Sequence, residues 1–196
     1  MKQNFNILIT GVGGQGLVTL VDVLTKAILA DGKDVKSSEL HGLSQRGGAV
    51  AVYVTMGLSK NKAFSPLFKK GDADLIIGME LLETLREIPF ANKNTKFLVN
   101  NKFWPLAVVD ENFTKEKILA KLEEIIKKEN MHLVDAGKIC YEKLQSEVLA
   151  TMYILGYAVY NKYLDIKPES VIIGMQKAIP AKYLQMNIDA FNLAKI

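Results

Sequence analysis

The chain has 196 residues, 49% of them hydrophobic and 23% charged, with 14 glycines and 5 prolines. One domain over residues 1–196 is expected at this size, and disorder or low-complexity structure is excluded. The net charge of +4 rests on lysines scattered along the chain, with Arg46 and Arg86 the two arginines; no basic stripe interleaved with aromatics points to nucleic acid.

A single cysteine, Cys140, excludes an intramolecular disulfide, a CxxC redox pair and any all-cysteine iron–sulfur or zinc site. It suits a reducing, cytoplasmic setting. The longest apolar run, Val148 to Tyr160, is interrupted by Thr151 and Gly156. It is shorter than the ~20 residues a membrane span needs, so it reads as a buried helix, and no membrane association is expected.

Short β-type runs alternate with helical ones. Phe5 to Thr10 is a buried-strand candidate that stops at Gly11. Leu17, Leu20, Val21, Leu24 and Ile28 recur at helical spacing, and Gly32 suits a left-handed cap after Asp31. Asp34 to Ser38 reads as a second strand, so residues 4–38 form a βαβ unit with parallel pairing and a right-handed crossover.

A glycine-rich loop follows, then a strand over Ala49 to Met56, and Lys62-Ala63-Phe64 reads as a short antiparallel return. Asp74 to Gly78 and Lys96 to Asn100 are further buried strands, with a short helix marked by Leu81, Leu82 and Leu85 between them. Asn101 to Asn112 is the one long connection without clear structure.

Thr114 suits a helix cap ahead of Ile118, Leu122 and Ile126. Met131 to Asp135 reads as the last parallel strand. One long helix is then expected to carry Leu144, Val148, Met152, Leu155 and Val159 on one face. Two more helices start near Pro168 and Pro180, where proline fits the first turn. The whole pattern predicts a single Rossmann-like, doubly wound α/β fold, with a mostly parallel sheet, helices on both faces and a helical C-terminus.

Gly11-Val12-Gly13-Gly14-Gln15-Gly16 fits GxGxxG between a strand and a helix. Such glycines permit a tight turn and close approach of a ligand to a helix N-terminus. Glu39 follows the second strand, where a dinucleotide-binding protein keeps a ribose-binding carboxylate. An NAD-dependent dehydrogenase is therefore one reading. Against it, the chain offers no substrate domain, and His132 lies in a strand as a packing histidine. No Lys-Ser or Lys-Thr follows the glycines, so a P-loop is excluded. No GxSxG elbow, HExxH or zinc spacing occurs, and no metal site is expected. Cys140 reads as a buried structural thiol.

The most informative stretch is His41-Gly42-Leu43-Ser44-Gln45-Arg46-Gly47-Gly48. Arginine suits bidentate or stacked contacts, and paired glycines can present N–H groups to an anion. Glu80 is placed at the ligand-binding edge of such a sheet and equally suits the start of the next helix. Trp104, beside Phe103, Pro105 and Leu106, is either an interface anchor or folded back onto its own core.

These motifs, with Ser65-Pro66-Leu67, Asp74, Glu80, Ile179-Pro180-Ala181-Lys182, Asn187 and Ala190-Phe191, resemble in order the gamma-type subunits of 2-oxoacid:ferredoxin oxidoreductases. The resemblance spans nearly the whole chain and is greatest to the small (beta) subunits of the indolepyruvate type. It implies a subunit that is inert alone and helps a large partner convert a 2-oxoacid and coenzyme A to acyl-CoA, carbon dioxide and reduced ferredoxin. Thiamine diphosphate, Mg and the iron–sulfur clusters are implied in that partner, with none in this chain; ferredoxin meets the complex. Gamma subunits of pyruvate, 2-oxoglutarate and branched-chain 2-oxoacid enzymes are the related alternatives. The implied ligand- or partner-binding loops comprise Gly11, Gly13, Gly14, Gln15, Gly16, Glu39, His41, Gln45, Arg46, Gly47 and Gly48.

Overall fold

Period-two alternation along the strands divides two apolar cores between the faces of one sheet. On one face lie Ile7, Ile9, Val52, Val54, Leu75, Ile77 and Leu98; on the other lie Leu8, Tyr53, Ile76, Phe97 and Val99. The structure, a computed structural model, describes residues 2–41, 48–58, 63, 65–104 and 113–195.

In chain order the main elements are β1 (Asn4–Val12), α1 (Leu17–Ala30), β2 (Val35–His41), β3 (Ala49–Gly57), β4 (Leu75–Gly78), α2 (Leu81–Arg86), β5 (Lys96–Asn100), α3 (Lys115–Ile125) and β6 (Met131–Val134). Four helices close the chain: α4 (Ala136–Leu144), α5 (Ala150–Tyr160), α6 (Pro168–Ala178) and α7 (Ala181–Leu193). No described helix is long and apolar enough to cross a membrane.

The strands form one mixed sheet in the order β2-β3-β1-β4-β5-β6. β1, β4, β5 and β6 pair in parallel. β3 runs antiparallel to both β1 and β2. The α/β architecture with helices on both faces and a helical C-terminus is therefore as expected, with one correction. β1 and β2 point the same way but do not pair, because β3 lies between them. The apolar strand Ala49–Gly57 matches β1 over nine residues, from Asn4 opposite Gly57 to Val12 opposite Ala49. That long register outcompetes the shorter, polar β2, which is left at the edge.

A second correction concerns the long helix. α4 ends at Gln145, which adopts a left-handed conformation (φ 57°). A short 3-10 turn, Glu147–Leu149, then leads into α5. The break turns Val148 out to solvent, 80% exposed, while Met152, Leu155 and Val159 stay buried. The apolar spacing continues across the break, so periodicity alone does not mark it. Of the expected return Lys62-Ala63-Phe64, only Ala63 lies among the described residues, and it is not in a strand.

α1 packs with α5 and α6 on the first face, and α7 lies over α5. Nine of the eleven α5 residues are buried, as for a helix covered on all sides. Its crossing with α7 is close: a Cβ on Gly156 would run into the Phe191 carbonyl oxygen. At the end of α1, Gly32 takes the predicted left-handed cap (φ 80°), with Lys33 N–H donating to Ile28 O at 3.1 Å. Asp31 beside it accepts from Lys33 Nζ (2.9 Å), Ser170 Oγ (2.9 Å) and Lys167 N (3.2 Å), tying α1 to the start of α6. Burial raises the Asp31 pKa, but these hydrogen bonds and the Lys33 charge outweigh it and hold the carboxyl below its ordinary value.

On the second face, α2 and α3 bury Leu81, Leu82, Ile118 and Leu122. Thr114 caps α3 as predicted, its side chain accepting from Lys117 N. α1 thus leaves β1 on one face, whereas α2 and α3 wind along the other. The winding reverses between β1 and β4, where open α/β sheets place a crevice outside the strands' carboxyl ends.

Candidate functional site

The crevice at this reversal is bounded by the glycine turn after β1. Gly14 (φ 104°) and Gly16 (φ 81°) take conformations that favour glycine, and Gly16 caps α1 without any side-chain hydrogen bond. Gln15 folds inward: its Oε1 accepts from Val12 N at 2.7 Å and its Nε2 donates to Met79 O at 3.3 Å. Gly11 leaves room for it, since a Cβ there would sit 2.6 Å from Gln15 Oε1. Gly13 N–H donates to Gly48 O at 2.9 Å.

Both contacts bear on the dinucleotide reading. A pyrophosphate site keeps the turn's N–H groups for the ligand, whereas here those of Val12 and Gly13 are engaged within the protein. Glu39 is also displaced. It pairs with Val52, which pairs with Ile9, so a whole strand separates it from β1. Two strand spacings amount to about 10 Å, and the ribose-reading position beside β1 is taken by β3. Gly11 makes room for Gln15, and Gly13 is tied to the start of β3 through Gly48.

His41 ends β2 in one row with Val50 and Gly11. Gln45, Arg46 and Gly47 lie outside the described residues, but the two ends of their loop, His41 and Gly48, are both at the carboxyl edge beside the glycine turn. Asp74 is not: it sits at the opposite edge, accepting from Lys2 Nζ at 2.6 Å and Asn6 N at 2.7 Å.

Between the turn and the start of α5, a cavity of about 260 Å³ is lined by Gly14, Gln15, Met79, Asn100, Lys102, Trp104, Glu147 and Val148, among others. Trp104 is 49% exposed. Phe103 beside it points the other way, against the core of the α2–α3 face.

Glu80 is 1% exposed. Its Oε2 accepts from Glu83 N at 2.8 Å, capping α2, and its Oε1 accepts from Trp104 N at 3.0 Å. Burial drives its pKa upward, more than the N–H groups of Glu83, Trp104 and Leu82 lower it.

Sequence reasoning missed Met79, Asn100, Lys102, Glu147 and Val148. Asn100 carried a signal, a polar residue closing a buried strand; its Oδ1 accepts from Ala136 N at the start of α4. The ion pair of Lys102 and Glu147 (2.9 Å) carried none, because it spans distant segments.

The remaining candidates are structural. Cys140 is buried, and burial pushes its thiol up to about 11. His132 packs edge-on against Tyr163 at 5.3 Å. Among the described residues no three His, Cys, Asp or Glu side chains gather as a metal site.

A profile of the family described as pyruvate ferredoxin/flavodoxin oxidoreductase matches residues 6–195. The chain is 30% identical over 196 residues to the indolepyruvate oxidoreductase subunit IorB of Pyrococcus horikoshii, covering 98% of this chain and 95% of that protein. It is 27% identical over 180 residues to the common gamma subunit of the pyruvate/ketoisovalerate oxidoreductases of Pyrococcus abyssi, covering 92% and 89%. The fold matches the gamma subunit of a keto/oxoacid ferredoxin oxidoreductase from Geobacter sulfurreducens with a TM-score of 0.69 at 18% identity, covering 97% and 96%.

Proposed function

The chain belongs to the pyruvate ferredoxin/flavodoxin oxidoreductase family, among its gamma-type small subunits, and we propose that it is the small subunit of an indolepyruvate:ferredoxin oxidoreductase. In this reading a large partner holds thiamine diphosphate, Mg and the iron–sulfur clusters. The complex decarboxylates the 2-oxoacid, transfers the acyl group to coenzyme A and passes the electrons to ferredoxin. The observation carrying the choice of substrate is the 30% identity to IorB along essentially both full lengths.

Among the described residues, the side chains do not fit the cofactors of that reaction. Cys140, the single cysteine, is buried and its thiol is held protonated. Among the described residues no three His, Cys, Asp or Glu side chains gather in a way that could hold a metal ion. No chemical step is therefore assigned to this chain. Its contribution is the carboxyl edge, where the glycine turn, the ends of the His41–Gly48 loop and Trp104 would face the partner and its ligands.

Arg46 is the candidate there for pairing a carboxylate or phosphate. Losing such a charge-assisted contact costs ~1.5–3 kcal/mol, and Arg46→Lys restores only part of it, because an ammonium lacks the planar fork.

Co-expression with the large chain, followed by 2-oxoacid-dependent reduction of ferredoxin, tests the reading. Indolepyruvate should give the highest kcat/KM, with neither chain active alone. Preference for pyruvate, 2-oxoglutarate or a branched 2-oxoacid would keep the subunit role and overturn the substrate. Turnover by this chain alone, or micromolar NAD affinity (about −8 kcal/mol), would return the dehydrogenase.

A further inference from the structure

Glu80 is an unusual choice for a helix cap. Ser, Thr, Asp and Asn are the residues that cap well, and a buried carboxylate is costly unless every lone pair has work. α2 has only six residues, so a shorter cap would serve it as well.

The length of Glu80 has a second use. While Oε2 caps α2, Oε1 reaches the Trp104 N–H at 3.0 Å. Leu81 N–H donates in parallel to Lys102 O at 2.9 Å. Residues 102–104 are thereby fixed to the start of α2, and the half-exposed indole is held in the crevice wall.

We infer that Glu80 is a positioning residue, whose second oxygen sets the Trp104 main chain so that the indole meets the large subunit. The occupant rests on the subunit reading above. One observation favours a protein surface over a small ligand. The rim of the cavity joins an exposed aromatic and the largely solvent-exposed Val148 to the Lys102–Glu147 ion pair, the pattern of an anchor with a polar border that protein partners recognise.

The test uses the full chain, first alone and then with its large partner. In Glu80→Gln only one side-chain oxygen remains for two N–H donors. Hydrogen exchange of the Trp104 amide in the isolated chain should accelerate roughly tenfold or more. Association with the large subunit should weaken by roughly tenfold. In a Trp104→Ala background Glu80→Gln should have no further effect on association, since the residue acts through the indole.

Unchanged protection of the Trp104 amide would overturn the inference, and so would additive effects of the two substitutions on association. If Glu80→Gln fails to fold, Glu80→Asp keeps the charge and the cap while losing the reach, and the same outcomes decide. A wild-type chain that binds no large subunit would overturn the subunit reading and the docking clause with it. The exchange experiment on the isolated chain would still decide what positions Trp104.

Discussion

On the face covered by α1 and α5–α7, helix backbones touch at Gly156, Phe191 is fully buried and Asp31 has three donors. At the carboxyl edge, Trp104 and Val148 stand half or mostly in solvent, and the glycine turn is filled by the protein's own Gln15. The first region uses close approach to gain stability. The second leaves apolar surface uncovered and holds it in place with hydrogen bonds. Substitutions in the first should therefore act on folding, and those in the second on association.

Gly156→Ala should have the largest effect on stability. The added methyl would run into the Phe191 carbonyl, so α5 and α7 must separate. Overpacking typically costs ~1–3 kcal/mol and occasionally more; against a backbone oxygen that cannot swing aside the cost should reach about 3 kcal/mol or more, with each kcal/mol worth roughly 2–4 °C in Tm for a chain of this size. Thermal melting checks it. A Tm unchanged from wild type would erase the contrast between the regions.

Asp31→Asn should follow, at ~1.5–3 kcal/mol for lost charge-assisted hydrogen bonds. Its effect depends on pH. The folded pKa is lowered, so the stabilisation is fully present above the ordinary carboxylate value and fades as pH falls through the folded value. Denaturant titrations at neutral and acidic pH should show the gap between wild type and variant closing in acid. A gap that widens in acid would assign the effect elsewhere.

Trp104→Ala should cost the isolated chain less than about 1 kcal/mol of stability, a Tm shift of under roughly 2–4 °C. Association with the large partner should lose ~2 kcal/mol or more, as anchors do. The reverse pattern, a large loss of Tm with normal association, would move Trp104 into the core region.

The smallest effect is expected at Cys140. With the thiol at about 11, only about one molecule in a thousand carries the thiolate at pH 8. A thiol reagent should label the native chain orders of magnitude more slowly than the unfolded one. Rapid native labelling would show that α4 opens readily.

Much of this molecule is legible locally. β1, α1 and the Gly32 cap follow from Leu17, Leu20, Leu24 and Ile28 at helical spacing and from the glycine after Asp31. Thr114 announces α3, and Pro168 announces α6, because caps and first-turn prolines act through neighbouring backbone groups. The glycine turn was equally visible, and its use was not. GxGxxG specifies a backbone path, whereas the occupant of that path depends on Gln15 turning inward and on Gly48 arriving from another strand.

Those long-range choices belong to the tertiary structure. Pairing between β3 and β1 compares registers across some forty residues, so no local pattern reveals that β3 displaces β2 and carries Glu39 away from the turn. The break at Gln145 hides under an unbroken apolar period, and only the folded chain shows that Val148 turns out to solvent. Glu80 and Trp104 meet because α2 and the end of β5 emerge at one edge. Sequence alone located most of the strands and helices, since side-chain period and helix caps are local, but not the break between α4 and α5 or the absence of a strand at Ala63. Which strands adjoin, which carboxylate is buried and which aromatic stays exposed were decided by the packed sheet, where each element's free energy depends on distant neighbours.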